Sequence, residues 1–157
     1  MGGNVVGLPI DLLDMTLLWA AMATKINIQF FDKHLQPTQD SFEGSPTVVV
    51  DVDGGRQVLQ NERALIDTGC NVTCINDVLI AGLGLVPVGS TDIKTVGLQG
   101  RTDVYRATLS IDGLNDPVAM EVVARNTRDP VLIGRDLLQR YCMVYDPPTG
   151  EFTLTKP

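Results

Sequence analysis

The sequence predicts a mostly β domain, and three observations carry that expectation. Short segments alternate apolar and polar residues with the period of two that a half-buried strand requires. Fifteen Gly and nine Pro punctuate the chain, so most stretches between turn signals are of strand length. Helical spacing is confined to an N-terminal segment, a short segment in the C-terminal region and one ambiguous stretch between them. With 157 residues, 44% hydrophobic and 20% charged, the chain suits one folded domain with a real core.

The elements follow in chain order. Residues 1–24 form a leader in which Pro9–Ala23 is predicted helical. Pro9 suits a first helical turn, Asp11 and Asp14 suit the positive end of the helix dipole, and Ile10, Leu13, Leu17 and Ala21 fall at helical spacing. This helix either packs on the chain's own core or, with Leu12, Leu18 and Trp19 widening its apolar face, meets a dimer mate or another partner. Residues 25–157 form the domain proper.

Ile26–Phe30 alternates as a single strand, and His34–Gly44, with Pro37, Asp40 and Ser41, reads as a loop that leaves His34 at the surface. Val48–Val50 with Val52 is a strand. Asp53-Gly54-Gly55 is a strong hairpin turn, with Arg56–Leu59 returning antiparallel. Ala64–Ile66 is a short buried strand. Asp77–Leu85 is a short helix or an apolar bridge ending at Gly82 and Gly84. Ile93–Val96 and Val104–Ile111 are strands around a glycine-rich tip, Gly97-Leu98-Gln99-Gly100. Asp112-Gly113 turns the chain into Val118–Val123. Tyr141–Tyr145, the turn Asp146–Gly150 and Phe152–Thr155 form a last hairpin.

Composition narrows the function classes. A net charge of −7 argues against a nucleic-acid partner bound through its phosphates. The opening Met1–Asn4 carries no Lys or Arg, so no secretory signal is evident. The longest uncharged run, Met15–Thr24, is too short to span a bilayer, and no membrane partner is expected. Three Cys (Cys70, Cys74 and Cys142) make an odd count that fits reduced thiols and a cytoplasmic location better than a disulfide framework. Cys70 and Cys74 are either small apolar groups, a redox pair or half of a metal site. One His and no second Cys pair speak against structural zinc, and no metal or organic cofactor is expected.

Two motifs carry chemistry. Ala64-Leu65-Ile66-Asp67-Thr68-Gly69-Cys70-Asn71-Val72-Thr73 runs an apolar strand into an Asp-Thr-Gly turn. Alone it reads more readily as an ordinary strand-terminating turn, because Asp and Gly are common turn residues. Further on, Pro130-Val131-Leu132-Ile133-Gly134-Arg135-Asp136-Leu137-Leu138 reads as an apolar strand, a Gly break and a short helix. In this order the pair resembles the retropepsin-like aspartic peptidases, over about residues 25–156 in outline, although only the two motifs are specific.

The resemblance implies a closed β fold of the acid-protease type and a homodimeric aspartic endopeptidase acting on peptide or protein substrates. Asp67 would be the catalytic carboxylate. A single Asp-Thr-Gly implies that the second carboxylate comes from another subunit, since pepsin-like enzymes carry two such motifs in one longer chain. Thr68 would join the two turns across the dimer axis, and Gly69 would allow close approach and leave its carbonyl to substrate. Gly134, Arg135 and Asp136 would pack behind the turn, although Arg135 also reads as a solvated helix-start residue. Val96, Gly97 and Leu98 would lie in a mobile flap over the substrate, or in a plain hairpin tip.

Two positions depart from the family pattern. Cys70 stands where Ala or Ser is usual. Asn71 stands where retroviral enzymes have an Asp that pairs with Arg at the subunit interface, so that ionic contact is absent or replaced by an Asn–Arg hydrogen bond. The C-terminal hairpin is then a candidate for the dimer sheet. The alternatives to a peptidase are an inactive domain of this fold kept for dimerisation or peptide binding, and a redox or metal role for Cys70 and Cys74.

Overall fold

A computed structural model describes residues 24–40, 44–95 and 98–157. The predicted leader helix lies outside the described residues. In chain order the elements are β1 (Lys25–Asn27), β2 (Gln29–Phe31), β3 (Pro37–Thr38), β4 (Ser45–Asp53), β5 (Val58–Ile66), β6 (Cys74–Ile75), α1 (Asp77–Leu83), β7 (Gly89–Thr95), β8 (Leu98–Ile111), β9 (Val118–Ala124), β10 (Val131–Ile133), α2 (Arg135–Leu138), β11 (Cys142–Asp146) and β12 (Glu151–Thr155). The mostly β expectation holds. Among the described residues no helix is long and apolar enough to cross a membrane.

The strands form a nine-stranded sheet in the order β3-β2-β4-β5-β10-β6-β9-β8-β7 and a three-stranded sheet in the order β1-β12-β11. An additional pairing of β4 with β8 closes the run from β4 through β5, β10, β6 and β9 to β8 into a ring. Alternation then fills the ring. On β4, Val48, Val50 and Val52 point inward while Val49 points out. Ala64 and Ile66 of β5, Ile75 of β6, Val122 of β9 and Val131 and Ile133 of β10 join the same core.

β10 enters this sheet in an unusual way. It pairs parallel with β5, matching Ile133 to Ile66, and antiparallel with β6, matching Leu132 to Cys74. The C-terminal motif is therefore laced between the two strands that flank the Asp67 turn.

Several sequence expectations are corrected. Ile26–Phe30 is two strands, because the chain changes sheets at Ile28. Lys25–Asn27 pairs with β12, the Ile28 amide still donates to the Phe152 carbonyl at 2.7 Å, and Gln29 then pairs with Thr47 of β4. The His34–Gly44 loop contains β3, which pairs with β2. The returning strand begins at Val58, not Arg56, and runs on through Ala64–Ile66 as one strand, β5. Its continuity passes through a bulge where Asn61 takes φ 59° and donates its amide to the Asp51 carboxylate. Asp77–Leu85 resolves as a helix, capped by the Asn76 side chain and stopped by left-handed Gly84. Gly100 lies within β8, so the β7–β8 tip is shorter than the glycines indicated.

The two sheets meet through aromatic rings. Phe152 of β12 lies 5.5 Å from Phe30 of β2 and 4.9 Å from Tyr145 of β11. The C-terminal unit is tied down again at Asp116, which accepts hydrogen bonds from Lys156 Nζ at 2.8 Å and Tyr141 Oη at 3.2 Å. Burial, then the adjacent Asp116 carboxylate, pushes the Tyr141 phenol from its ordinary 10.0 up to about 12. A raised phenol contributes stability that is complete below the free-phenol value and is lost as pH rises through its own. Tyr141→Phe should therefore cost about 1 kcal/mol at neutral pH. In urea unfolding, that difference from wild type should shrink between 10.0 and about 12.

Candidate active site

Asp67 leaves the end of β5 with its backbone still held by β10. Its amide donates to the Ile133 carbonyl at 3.0 Å, extending the β5–β10 ladder by one residue. The chain then turns. The Cys70 amide donates to the Asp67 carbonyl at 3.1 Å, and the Gly69 amide donates to Asp67 Oδ1 at 2.9 Å. One carboxylate oxygen is thus oriented by its own turn. A Cβ at Gly69 would stand 3.1 Å from that same oxygen, so a side chain there would crowd the carboxylate. Asp67 is half-buried, whereas Thr68 and Gly69 are exposed in the single chain.

The second motif holds this turn from behind. The Arg135 amide donates to the Cys70 carbonyl at 2.9 Å, and the Asp136 amide to the Asn71 carbonyl at 3.2 Å. The Arg135 guanidinium, although exposed, donates to Asn71 Oδ1. This Asn–Arg hydrogen bond lies within one chain. The Asp136 carboxylate accepts from the Thr73 amide at 2.9 Å, the Thr73 hydroxyl at 2.7 Å and the Leu137 amide at 2.8 Å. Thr73, fully buried, accepts in turn from the Gly134 amide at 3.1 Å. Gly134 is required by space: a Cβ there would fall 2.6 Å from the Val72 carbonyl carbon and 2.7 Å from its oxygen.

The structure therefore brings Asp67, Thr68 and Gly69 together with Gly134, Arg135 and Asp136. Sequence reading missed the part played by Thr73. Its offset after Gly69 was visible, but its partners Gly134 and Asp136 are distant in sequence.

Sequence reading also missed an apolar row. The face of the sheet opposite the core carries Leu65, Leu132, Cys74, Val123 and Val104. Register places each opposite the next, across β5, β10, β6, β9 and β8. Leu65 lies two residues before Asp67, so alternation puts the row on the carboxylate's side of the sheet. Cys70 packs on the same row.

The row ends at Val104, where β8 leaves the ring. From Leu98 to Asp103, β8 pairs with β7 in a two-stranded arm. Val96 and Gly97, expected in a flap, lie outside the described residues, and Leu98 begins β8. Among the described residues no three His, Cys, Asp or Glu side chains converge as a metal site.

This fold is similar to solved retropepsin-like structures. A retropepsin-like aspartic protease from Rickettsia conorii shares 14% identity over 85% of this chain and 90% of that one, with a TM-score of 0.54. EIAV protease, in complex with the inhibitor HBY-793, shares 20% identity over 63% of this chain and 89% of that one, with a TM-score of 0.50. No protein-family model matches the chain, and no curated protein matches it in sequence. The chain has a retropepsin-like fold.

The buried polar cluster should be costly to break. Thr73→Val strands the Gly134 amide and removes one of the two donors to Asp136 Oδ1, and should lower unfolding free energy by about 1–3 kcal/mol. Gly134→Ala forces backbone against backbone and should cost about 1–3 kcal/mol. Urea melts of both variants check this, and a loss near zero for both would mean that the cluster does not hold the turn.

Proposed function

We propose that the chain is a homodimeric aspartic endopeptidase that hydrolyses peptide bonds with a water activated between two Asp67 carboxylates, one from each subunit. The observation that carries this reading is the Asp67 turn itself. Its backbone is clamped by β10 and the Gly134-Arg135-Asp136 segment, while Thr68 and Gly69 stay exposed at its tip. A turn held rigidly from behind and open in front is suited to meeting a copy of itself.

The chemistry needs both copies. Two carboxylates in contact cannot both ionise cheaply, so they share one proton. The ionised one takes a proton from water, whose oxygen bonds to the scissile carbonyl carbon. The protonated one donates to the carbonyl oxygen. Collapse of this tetrahedral species breaks the C–N bond, and the departing amine takes a proton from the pair. Thr68, exposed at the tip of the turn, would hydrogen-bond across the dimer axis. Substrate would lie extended between the Asp67 floor and the β7–β8 arm, with Val96, Gly97 and Leu98 at the closing tip. Half-buried Leu65 and Val104, at the two ends of the apolar row, are the members of it that substrate side chains would meet.

The surface for the second copy is the edge strand β11. It pairs with β12 on one side and has no described strand on the other. Met143, Val144 and Tyr145 are 37%, 41% and 50% exposed, an apolar edge of the kind that a second strand covers. Addition of β11 from a second copy would place the two chains about a twofold axis.

Cleavage of a diverse peptide library by wild type, from about pH 4 to about pH 7 with and without pepstatin, tests the activity. Asp67→Asn should lower cleavage by roughly a thousandfold or more while the fold persists. Equal cleavage by both would remove Asp67 from the chemistry. Binding of an apolar peptide with no cleavage by either would favour a non-catalytic binding domain. Val144→Lys at the β11 edge should shift sedimentation from dimer to monomer and lower activity in parallel.

A further inference from the structure

Cys70 and Cys74 remain outside the peptidase chemistry, and their placement is specific. Both are free thiols. Cys70 follows the Asp-Thr-Gly turn and is half-buried, whereas Cys74 is buried at the centre of the apolar row. Both Sγ atoms are directed at one acceptor, the Val72 carbonyl, at 3.1 Å for Cys70 and 3.5 Å for Cys74. Both sulfurs therefore lie within 3.5 Å of one oxygen, and the two thiols interact directly. Burial first, and the neighbouring Cys70 second, push the Cys74 thiol up to about 12. Cys70 is the member that a reagent from solution can reach, and Cys74 is the protected one behind it.

We propose that Cys70 and Cys74 form a reversible oxidation site, a thiol pair that closes to a disulfide on the Asp67 side of the sheet and thereby switches the turn off. The oxidant is a low-molecular-weight disulfide. The Cys70 thiolate attacks one of its sulfurs, the S–S bond breaks, and the departing thiolate takes up a proton. Cys74 then gives up its proton and attacks Cys70 Sγ, expelling the second small thiol. Two protein thiols are oxidised to one disulfide and one small disulfide is reduced to two thiols. An excess of small thiol reverses both steps.

The turn is sensitive to this change because of what Cys70 carries. Its amide holds the Asp67 carbonyl and its carbonyl receives the Arg135 amide. A disulfide brings the sulfurs to about 2 Å and removes both thiol donors from the Val72 carbonyl. The Val72 backbone has little room to follow, since it lies against Gly134. Small misplacements of a reacting group cost large factors in rate. The loss of activity rests on the peptidase reading, whereas the disulfide itself does not.

The test is incubation of the native protein with oxidised glutathione and then with dithiothreitol. Intact mass, cysteine mapping and peptide cleavage are followed together, with mapping separating this pair from Cys142. The expected product has lost two hydrogen atoms, is cross-linked between Cys70 and Cys74, cleaves roughly tenfold or more slowly, and recovers fully on reduction. In Cys74→Ser the reaction should stop at a glutathione mixed disulfide on Cys70. Failure to form the 70–74 cross-link overturns the proposal, as does a cross-linked protein that cleaves at the reduced rate. A reduced protein that cleaves nothing while the cross-link forms reversibly counts against the peptidase reading and upholds the oxidation site.

Discussion

The insertion of β10 between β5 and β6 is the constraint on which the rest of the structure depends. Val131, Leu132 and Ile133 pair with β5, and the first two pair at once with β6. Their carbonyls and amides set where the Asp67 turn begins, and Gly134, at their end, sets how closely the next segment can approach Val72. Without that strand the Asp67 turn would be a loop joining two strands, with no reason to hold one geometry. With it, the carboxylate is carried on a backbone fixed to the centre of a closed sheet. Sites built on rigid elements hold reacting groups better than sites on free loops.

A buried polar cluster makes the insertion specific. The alternating apolar residues of β10 would bury nearly as well after a shift of two residues, since Val131 and Ile133 are similar in size and share a face. The Thr73–Asp136–Gly134 hydrogen bonds do not permit that shift. Each donor and acceptor there is matched, and sliding the strand would strand several of them away from water. Apolar burial supplies most of the stability, and the polar cluster selects one register.

The two faces of the sheet divide the work. The inner face holds the core, rich in Val, Ile and Leu. The outer face near Asp67 carries one thin row, buried at Leu132, Cys74 and Val123 and half-buried at its ends, Leu65 and Val104. The Asp67 turn, with Thr68 and Gly69 exposed at its tip, is left incomplete in a single chain. The β11 edge is incomplete in the same sense. Under the proposed function, a second chain and an extended peptide would supply what the single chain does not.

Much of the fold was legible in the sequence, because its signals are local. Val48, Val50 and Val52 alternate within one segment, Asp53-Gly54-Gly55 specifies its own turn, and Gly84 stops α1 through its left-handed backbone. The Asp-Thr-Gly turn and the Gly134 segment were legible as separate motifs for the same reason. Their contact was expected only through resemblance, because nothing local in either motif records the other. The misread places are those where long-range pairing overrides local pattern. Ile26–Phe30 alternates perfectly yet changes sheets at Ile28, and β5 runs through Asn61 because β4 holds both sides of the bulge. By itself the sequence determined the mostly β class, the turns and the chemically important residue types, since these depend on neighbours along the chain. Only the tertiary structure decided that Thr73 bridges Gly134 and Asp136, and that Leu65, Leu132, Cys74, Val123 and Val104 share one row. Each of these depends on strand order and register, which are set by packing between residues distant in the chain.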